Sequence, residues 1–214
     1  NRCDEWGISP VVFYKNGCMM QGTAVFDVER GQINGIARET WQCDTAIAKN
    51  SWGYTENNEF KSAYNCAANL IDVVSKNGCF MLNVGPKADG TVCDEEKEVL
   101  LKLGEWLSYC GEAIYGSEPF TVYGEGTEKD NKAFNDNLLY GLRDYRFTYK
   151  TGKIYVFPLS NKPRKEFTIK SLGYRNDGIR YDIRGIELLG HPDAKIKWTH
   201  DAKALKIKLS APIK

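Results

Sequence analysis

The 214 residues predict two unlike parts in tandem, an α/β segment followed by an all-β segment. Three observations carry that expectation. Apolar residues recur at helical spacing in EFKSAYNCAANLIDVVSK (59–76) and DEEKEVLLKLGEWLSYCG (94–111). Between them, CFMLNVGP (79–86) is a short unbroken apolar run closed by Gly85-Pro86, the pattern of a buried parallel strand. Beyond Ser117 the period drops to two residues, in runs separated by turn signals.

Within the first part, Phe60, Ala63, Ala67, Leu70, Ile71 and Val74 form the apolar stripe of the first helix, and Asn77-Gly78 is placed to stop it with a left-handed residue. Acids open the second helix, where they suit the positive end of the dipole, and Val99, Leu100, Leu103, Trp106 and Leu107 follow at core spacing. Upstream, AVFDVER alternates as another strand. Helix, strand, turn, helix is the rhythm of a βα-repeat fold. About three such units fall short of a closed eight-stranded barrel, which needs about 250 residues. The first part is therefore either a small open sheet or the later portion of a barrel whose earlier strands lie elsewhere.

In the second part, YRFTY, KIYVFPLS, EFTIKSLG, IRYDIRGIELLG, KIKWTH and AKALKIKLS read as six short strands with turns at Lys150-Thr151-Gly152 and Asn176-Asp177-Gly178. In the last run Leu205, Ile207 and Leu209 share one face while Lys206 and Lys208 face away. An antiparallel β-sandwich is expected. With no internal repeat and no low-complexity linker, residues 1–116 and 117–214 are expected to form two domains packed directly on each other.

Composition narrows the function. Twenty-nine basic residues against 28 acidic ones leave a net charge of +1, so neither nucleic acid nor an anionic membrane surface is an expected partner. No run approaches the roughly 18 apolar residues that insert as a membrane helix. The seven cysteines form no CxxC pair, and KADGTVCDEE lacks the ligand spacing of a calcium loop, so no metal and no cofactor is expected. Buried cysteines filling core are the plain alternative to any other role. Two histidines, His191 and His200, give a histidine-based triad little to draw on. Carboxylates remain the candidate catalysts.

TWQCDTAIAKNSWGY (40–54), LIDVVSKNGCFMLNVGPKADGTV (70–92) and LGEWLSYCGEAIYGSEP (103–119) stand in an order and spacing that resembles the α-L-fucosidases of glycoside hydrolase family 29. The resemblance covers Phe26 to Pro119 and extends to YRFTYKTGKIYVFPL and IRGIELLG. It implies the C-terminal portion of a (β/α) barrel-like catalytic domain followed by an antiparallel β-sandwich. The activity it implies is retaining hydrolysis of terminal α-L-fucose, with a fucosylated glycan as substrate. An extracellular or lysosomal-like compartment goes with the same family. Family members use an aspartate nucleophile on an earlier strand and a glutamate acid/base ahead of the W(E/Q) segment. By position, Glu29 in FDVERG, 12 residues before Trp41, matches the acid/base. The nucleophile would precede Asn1, so an N-terminal half is expected as a separate chain or a missing segment. Arg2 matches an arginine that reaches the sugar. An aromatic at the position of Trp52 lines the sugar pocket in relatives, and Trp41 and Tyr54 are further candidates for it.

On a strand, Asp27 and Glu29 share one face and Arg30 the other. A like-charged neighbour and a dry pocket together raise a carboxyl pKa, the environment a proton donor needs. Fucose carries an exposed methyl, which an aromatic wall would contact. The alternatives are an edge strand whose Glu29 and Arg30 solvate the surface, and Trp41 and Tyr54 as core. For the whole chain, the rival reading is a non-catalytic carbohydrate-binding or structural relative. Trp198 and Tyr181 are isolated aromatics and form no platform.

Overall fold

Four parallel strands lie side by side in sequence order: β1 (Phe13–Tyr14), β2 (Val25–Glu29), β3 (Trp41–Ala46) and β4 (Gly78–Asn83). The computed structural model describes residues 2–8, 10–15, 17–20, 22–126, 135–174 and 182–213, the side chain of Arg2 excepted. A short helix α1 (Arg2–Trp6) precedes the sheet, α2 (Ala63–Ser75) crosses from β3 to β4, and α3 (Asp94–Cys110) follows β4. Among the described residues β1 pairs only with β2 and β4 only with β3, so the sheet is open at both edges.

Helix α2 begins four residues later than its apolar spacing predicts. Ser62 caps it by accepting from the Asn65 amide at 3.2 Å, and the residues before the cap pair instead with the segment after β3. Lys49 N–H donates to Glu59 O and Lys61 N–H to Ile47 O. A side-chain cap satisfies an otherwise orphaned amide, and here it fixes where the helix starts. Its end follows the expectation, with Asn77 at φ +69°. Gly78 must be glycine, because a Cβ there would lie 2.6 Å from both Trp41 and Val73 side-chain atoms.

Helix α2 is buried on two sides. Val73 packs with Val28, Trp41 and Cys43 behind the parallel sheet. Ala68 and Ile71 pack with Ala113, Ile114, Tyr140, Phe157 and Leu159. Trp106 of α3 joins this second cluster with its ring 6.5 Å from that of Phe157.

The later residues form two three-stranded antiparallel sheets. One has the order β5-β6-β7, from β5 (Glu118–Glu125), β6 (Tyr145–Lys150) and β7 (Lys153–Pro158). The other has the order β8-β10-β9, from β8 (Arg164–Ile169), β9 (Ile196–His200) and β10 (Leu205–Ile213). Phe120, Tyr145 and Phe147 of the first share one apolar cluster with Phe167, Ile169, Leu205 and Leu209 of the second. Lys206 and Lys208 face outward, as their alternation predicts. Thr151 (φ +50°) and Gly152 (φ +80°) make the β6–β7 turn. Two differences stand out. Residues 118–125 form a strand the pattern did not single out, and residues 182–188 of the run IRYDIRGIELLG are not a strand. The turn Asn176-Asp177-Gly178 and Tyr181 lie outside the described residues.

Buried ions fasten α2 and its flanks to β6 and to the segment ahead of it. Asp72 accepts from Lys76 Nζ at 2.6 Å and from Arg146 Nε of β6, with all three side chains buried. Lys61 Nζ donates to Asp136 Oδ2 at 2.6 Å, to Ala46 O and to Thr45 Oγ1, and the Thr45 hydroxyl also meets Asp136.

Candidate active site

Parallel pairing sets the site. Asp27 lies beside Gln42 and Glu29 beside Asp44, while on the next strand Gln42, Asp44 and Ala46 lie beside Cys79, Met81 and Asn83. In-register neighbours point to the same side of a sheet. Asp27, Glu29, Gln42 and Asp44 therefore share the face opposite to Val28, Trp41 and Cys43, whose side chains pack against α2.

Cys79 and Met81 are exposed on that same polar face. This corrects the reading of 79–86 as a strand buried on both sides. Among the described residues that face of β4 is uncovered at Cys79 and Met81, while Asn83 at its end meets the loop after β3.

Lys15, immediately after β1, sits among the acids. Its Nζ lies 2.8 Å from Asp44 Oδ2, 3.2 Å from Glu29 Oε2 and 3.4 Å from Asp27 Oδ2. Burial works to lower the Lys15 pKa, but hydrogen bonds to Asp44 and Glu29 and the charges of Asp27 and Asp44 raise it overall. Asp27 is itself buried. Burial first, and then the charge of Asp44, push its carboxyl above the usual 3.8, against the lowering pull of Lys15 and Gln42. One oxygen each of Asp27 and Asp44 is buried without a hydrogen-bond partner among the described residues. Glu29, at the carboxyl end of β2, keeps its side chain 29% exposed.

Arg30 is not the solvated charge its composition invites. It is buried at φ +47°, a conformation that costs an L-residue about 1–2 kcal/mol. Its guanidinium donates to Ala48 O at 3.0 Å, Lys49 O at 2.8 Å and Ser51 O at 2.8 Å, and lies 4.5 Å from the centre of the Trp52 ring. The Trp52 loop is held from a second side by the end of β4 and the turn beyond it. Asn83 Nδ2 donates to Trp52 O at 2.7 Å. Gly85 lies so close to Gly53 and Tyr54 that a Cβ would come within 2.8 Å of their backbone. The buried carboxylate of Glu96 on α3 accepts from the Gly85 amide.

The predicted site residues separate by face. Glu29 lies with the acids, and Trp52 and Tyr54, 38% and 40% exposed, stand on the loop after β3. Lys87 Nζ lies 5.5 Å from the centre of the Tyr54 ring. Trp41 is not brought to them. It is 1% exposed on the helix-facing side, with Nε1 donating to Lys76 O at 3.0 Å. The alternation of Trp41 with Gln42 and Asp44 carried that outcome, since a residue one position away points to the other face. The side chain of Arg2 lies outside the described residues. Lys15, Asp44 and Glu96 were not singled out from sequence. Glu96 reads there as one of several acids at a helix start, and nothing local marks Lys15.

Known proteins share part of this sequence and most of this fold. The α-L-fucosidase family model matches residues 9–112. The tissue α-L-fucosidase of Bos taurus is 41% identical over 100 residues, 45% of this chain and 21% of that protein. That of Rattus norvegicus is 35% identical over 126 residues, 57% of this chain and 26% of that protein. The solved α-fucosidase of Thermotoga maritima superposes with a TM-score of 0.67 at 26% identity, over 91% of this chain and 40% of that one. The same enzyme in complex with fucose superposes at 0.62 and 27% identity, with the same coverage. These relatives are glycoside hydrolases. The likeness to α-L-fucosidases is carried in sequence by residues 9–112 and in fold by 91% of the chain. The chain spans 21% and 26% of the length of these two curated relatives.

Proposed function

We propose that residues 1–116 are the C-terminal portion of a (β/α) barrel-like catalytic domain and residues 117–214 a β-sandwich. Together with barrel strands preceding Asn1, the chain hydrolyses terminal α-L-fucose from glycoconjugates. The observation that carries this reading is the register of β2 and β3, which puts Asp27, Glu29 and Asp44 on the sheet face away from the helices. In a closed barrel that face is the interior, and sites form at the carboxyl ends of the strands, where Glu29 and the Trp52 loop stand.

The chemistry is double displacement. A carboxylate from a strand outside this chain attacks the anomeric carbon, and Glu29 protonates the departing glycosidic oxygen. Water then cleaves the glycosyl-enzyme ester, giving its proton to Glu29. The two carboxyl groups of such a pair stand about 5–5.5 Å apart. Trp52 and Tyr54 wall the pocket against the fucose methyl, and Arg2 reaches the sugar. Trp41 supports the strand from behind. Lys15 offsets part of the repulsion among Asp27, Glu29 and Asp44.

A second reading has one observation in its favour. Lys15 already pairs with Glu29, as it would in a non-catalytic carbohydrate-binding or structural relative. One experiment separates the two. In the protein produced with the strands upstream of Asn1, Glu29→Gln should lower kcat/KM about 10²- to 10⁴-fold on fucosides with poor leaving groups. On aryl fucosides with good leaving groups the loss should be far smaller. Equal retention on both classes would remove Glu29 from the mechanism, and inactivity of the unsubstituted protein on every fucoside would favour the second reading.

A further inference from the structure

We propose that Arg30 is a positioning residue for sugar selectivity, holding the Trp52 ring against the pocket without touching the sugar. The inference rests on the reading of Trp52 as a pocket wall. Arg30 follows Glu29 directly, and its amide donates to Asp44 O at 2.8 Å, so its backbone is fixed to the two strands that carry the acids. Its guanidinium then leaves the sheet and engages three carbonyls of the next loop, at residues 48, 49 and 51, with its carbon 4.5 Å from the Trp52 ring centre. A planar fork that saturates several acceptors while stacking on a ring is work a lysine ammonium cannot do. The contacts of Asn83 and Gly85 hold the backbone of residues 52–54, whereas the contact of Arg30 bears on the ring itself. The strand bearing Glu29 and the wall bearing Trp52 are thereby one mechanical unit.

The test compares two substrates in the protein produced with its upstream strands: an aryl α-L-fucoside and the pentopyranoside identical to it but lacking the methyl on C5. Contact with one such carbon is worth about 10- to 200-fold in kcat/KM. Arg30→Gly removes the fork and relaxes the backbone at φ +47°. It should bring the ratio between the two substrates down at least tenfold while leaving the pH profile of kcat/KM in place, and Arg30→Lys should not restore the ratio. Trp52→Ala should collapse the same ratio. If Trp52→Ala leaves it intact, the pocket-wall reading fails. If Trp52→Ala collapses it and Arg30→Gly does not, the positioning role of Arg30 fails alone. A measurement independent of activity uses the full chain labelled with 5-fluorotryptophan, the Trp52 resonance being identified by its loss in Trp52→Phe. Arg30→Gly should shift the fluorine resonance of Trp52 toward that of a solvated ring and leave that of Trp41 in place. An unmoved Trp52 resonance overturns the proposal. Where Arg30→Gly moves every resonance, Arg30→Lys decides, since a shift confined to Trp52 supports the proposal and no shift overturns it.

Discussion

The two faces of the parallel sheet are built from alternate residues of the same strands, yet they differ in almost every property. Toward α2, Val28, Trp41, Cys43 and Phe80 meet Val73 in a dry apolar layer. On the other side, Asp27, Glu29 and Asp44 surround Lys15, while Cys79 and Met81 are open. Parallel sheets are ordinarily covered on both faces, and their strands then read as unbroken apolar runs. A strand that alternates while lying in a parallel sheet is instead keeping one face for something other than core. The helix-facing side supplies stability, and the polar side is the one on which the proposed chemistry would take place.

Substitutions should separate those two roles, and the widest separation is between Trp41 and Glu29. Trp41→Ala empties a fully buried site and breaks the bond to Lys76 O, which should cost about 3–5 kcal/mol in urea unfolding. Glu29→Gln should stay within about 0.5 kcal/mol in the same assay, because its side chain is partly exposed and exposed ion pairs contribute little. A large loss of stability at Glu29, or a small one at Trp41, would break the division between the faces.

Asp72 extends the comparison to the junction with the antiparallel sheets. It is a buried acid between two buried cations, Lys76 and Arg146. Breaking such a cluster by removing one member strands the others, so Asp72→Ala should cost about 3–5 kcal/mol by urea or thermal melting. Because Arg146 belongs to β6, the loss should disrupt the packing of α2 against the later sheets together with α2 itself. Independent melting of the two parts with α2 intact would refute that coupling.

Much of this framework was legible where the cause is local. Helix α3 follows from its acids and apolar spacing, the face assignment of β10 from alternation, and the stop after α2 from Asn77. The start of α2 was not legible, because Glu59 to Lys61 find partners in residues 47–49 rather than in the helix. Nor were the buried ions. Arg146 meets Asp72 across 74 positions and Asp136 meets Lys61 across 75, and no spacing rule links residues so far apart. At the candidate site, Asp27 and Glu29 were legible as one face of a strand. Asp44 and Lys15 join them only through parallel pairing, which periodicity does not fix. Arg30 was misleading for the same reason, since a charge beside a carboxylate reads as solvent-facing until the carbonyls of the next loop are in place.

The smallest expected effect is also the most informative about the polar face. Asp27 is pushed above its ordinary pKa because burial and the Asp44 charge outweigh Lys15 and Gln42. A carboxyl raised in the folded state binds its proton more tightly folded than unfolded, so its ionised form weighs against folding. That penalty is fully present above the folded pKa and fades as pH falls toward 3.8, the unfolded value. Asp27→Asn removes the charge and keeps the shape. The variant should be more stable than the parent at pH 7, with the advantage shrinking as pH approaches 4, as measured by urea midpoints across that window. A variant less stable at pH 7 would mean that pairing with Lys15 outweighs burial. The acid cluster would then be a stabilising ion network rather than a face held at a cost to folding.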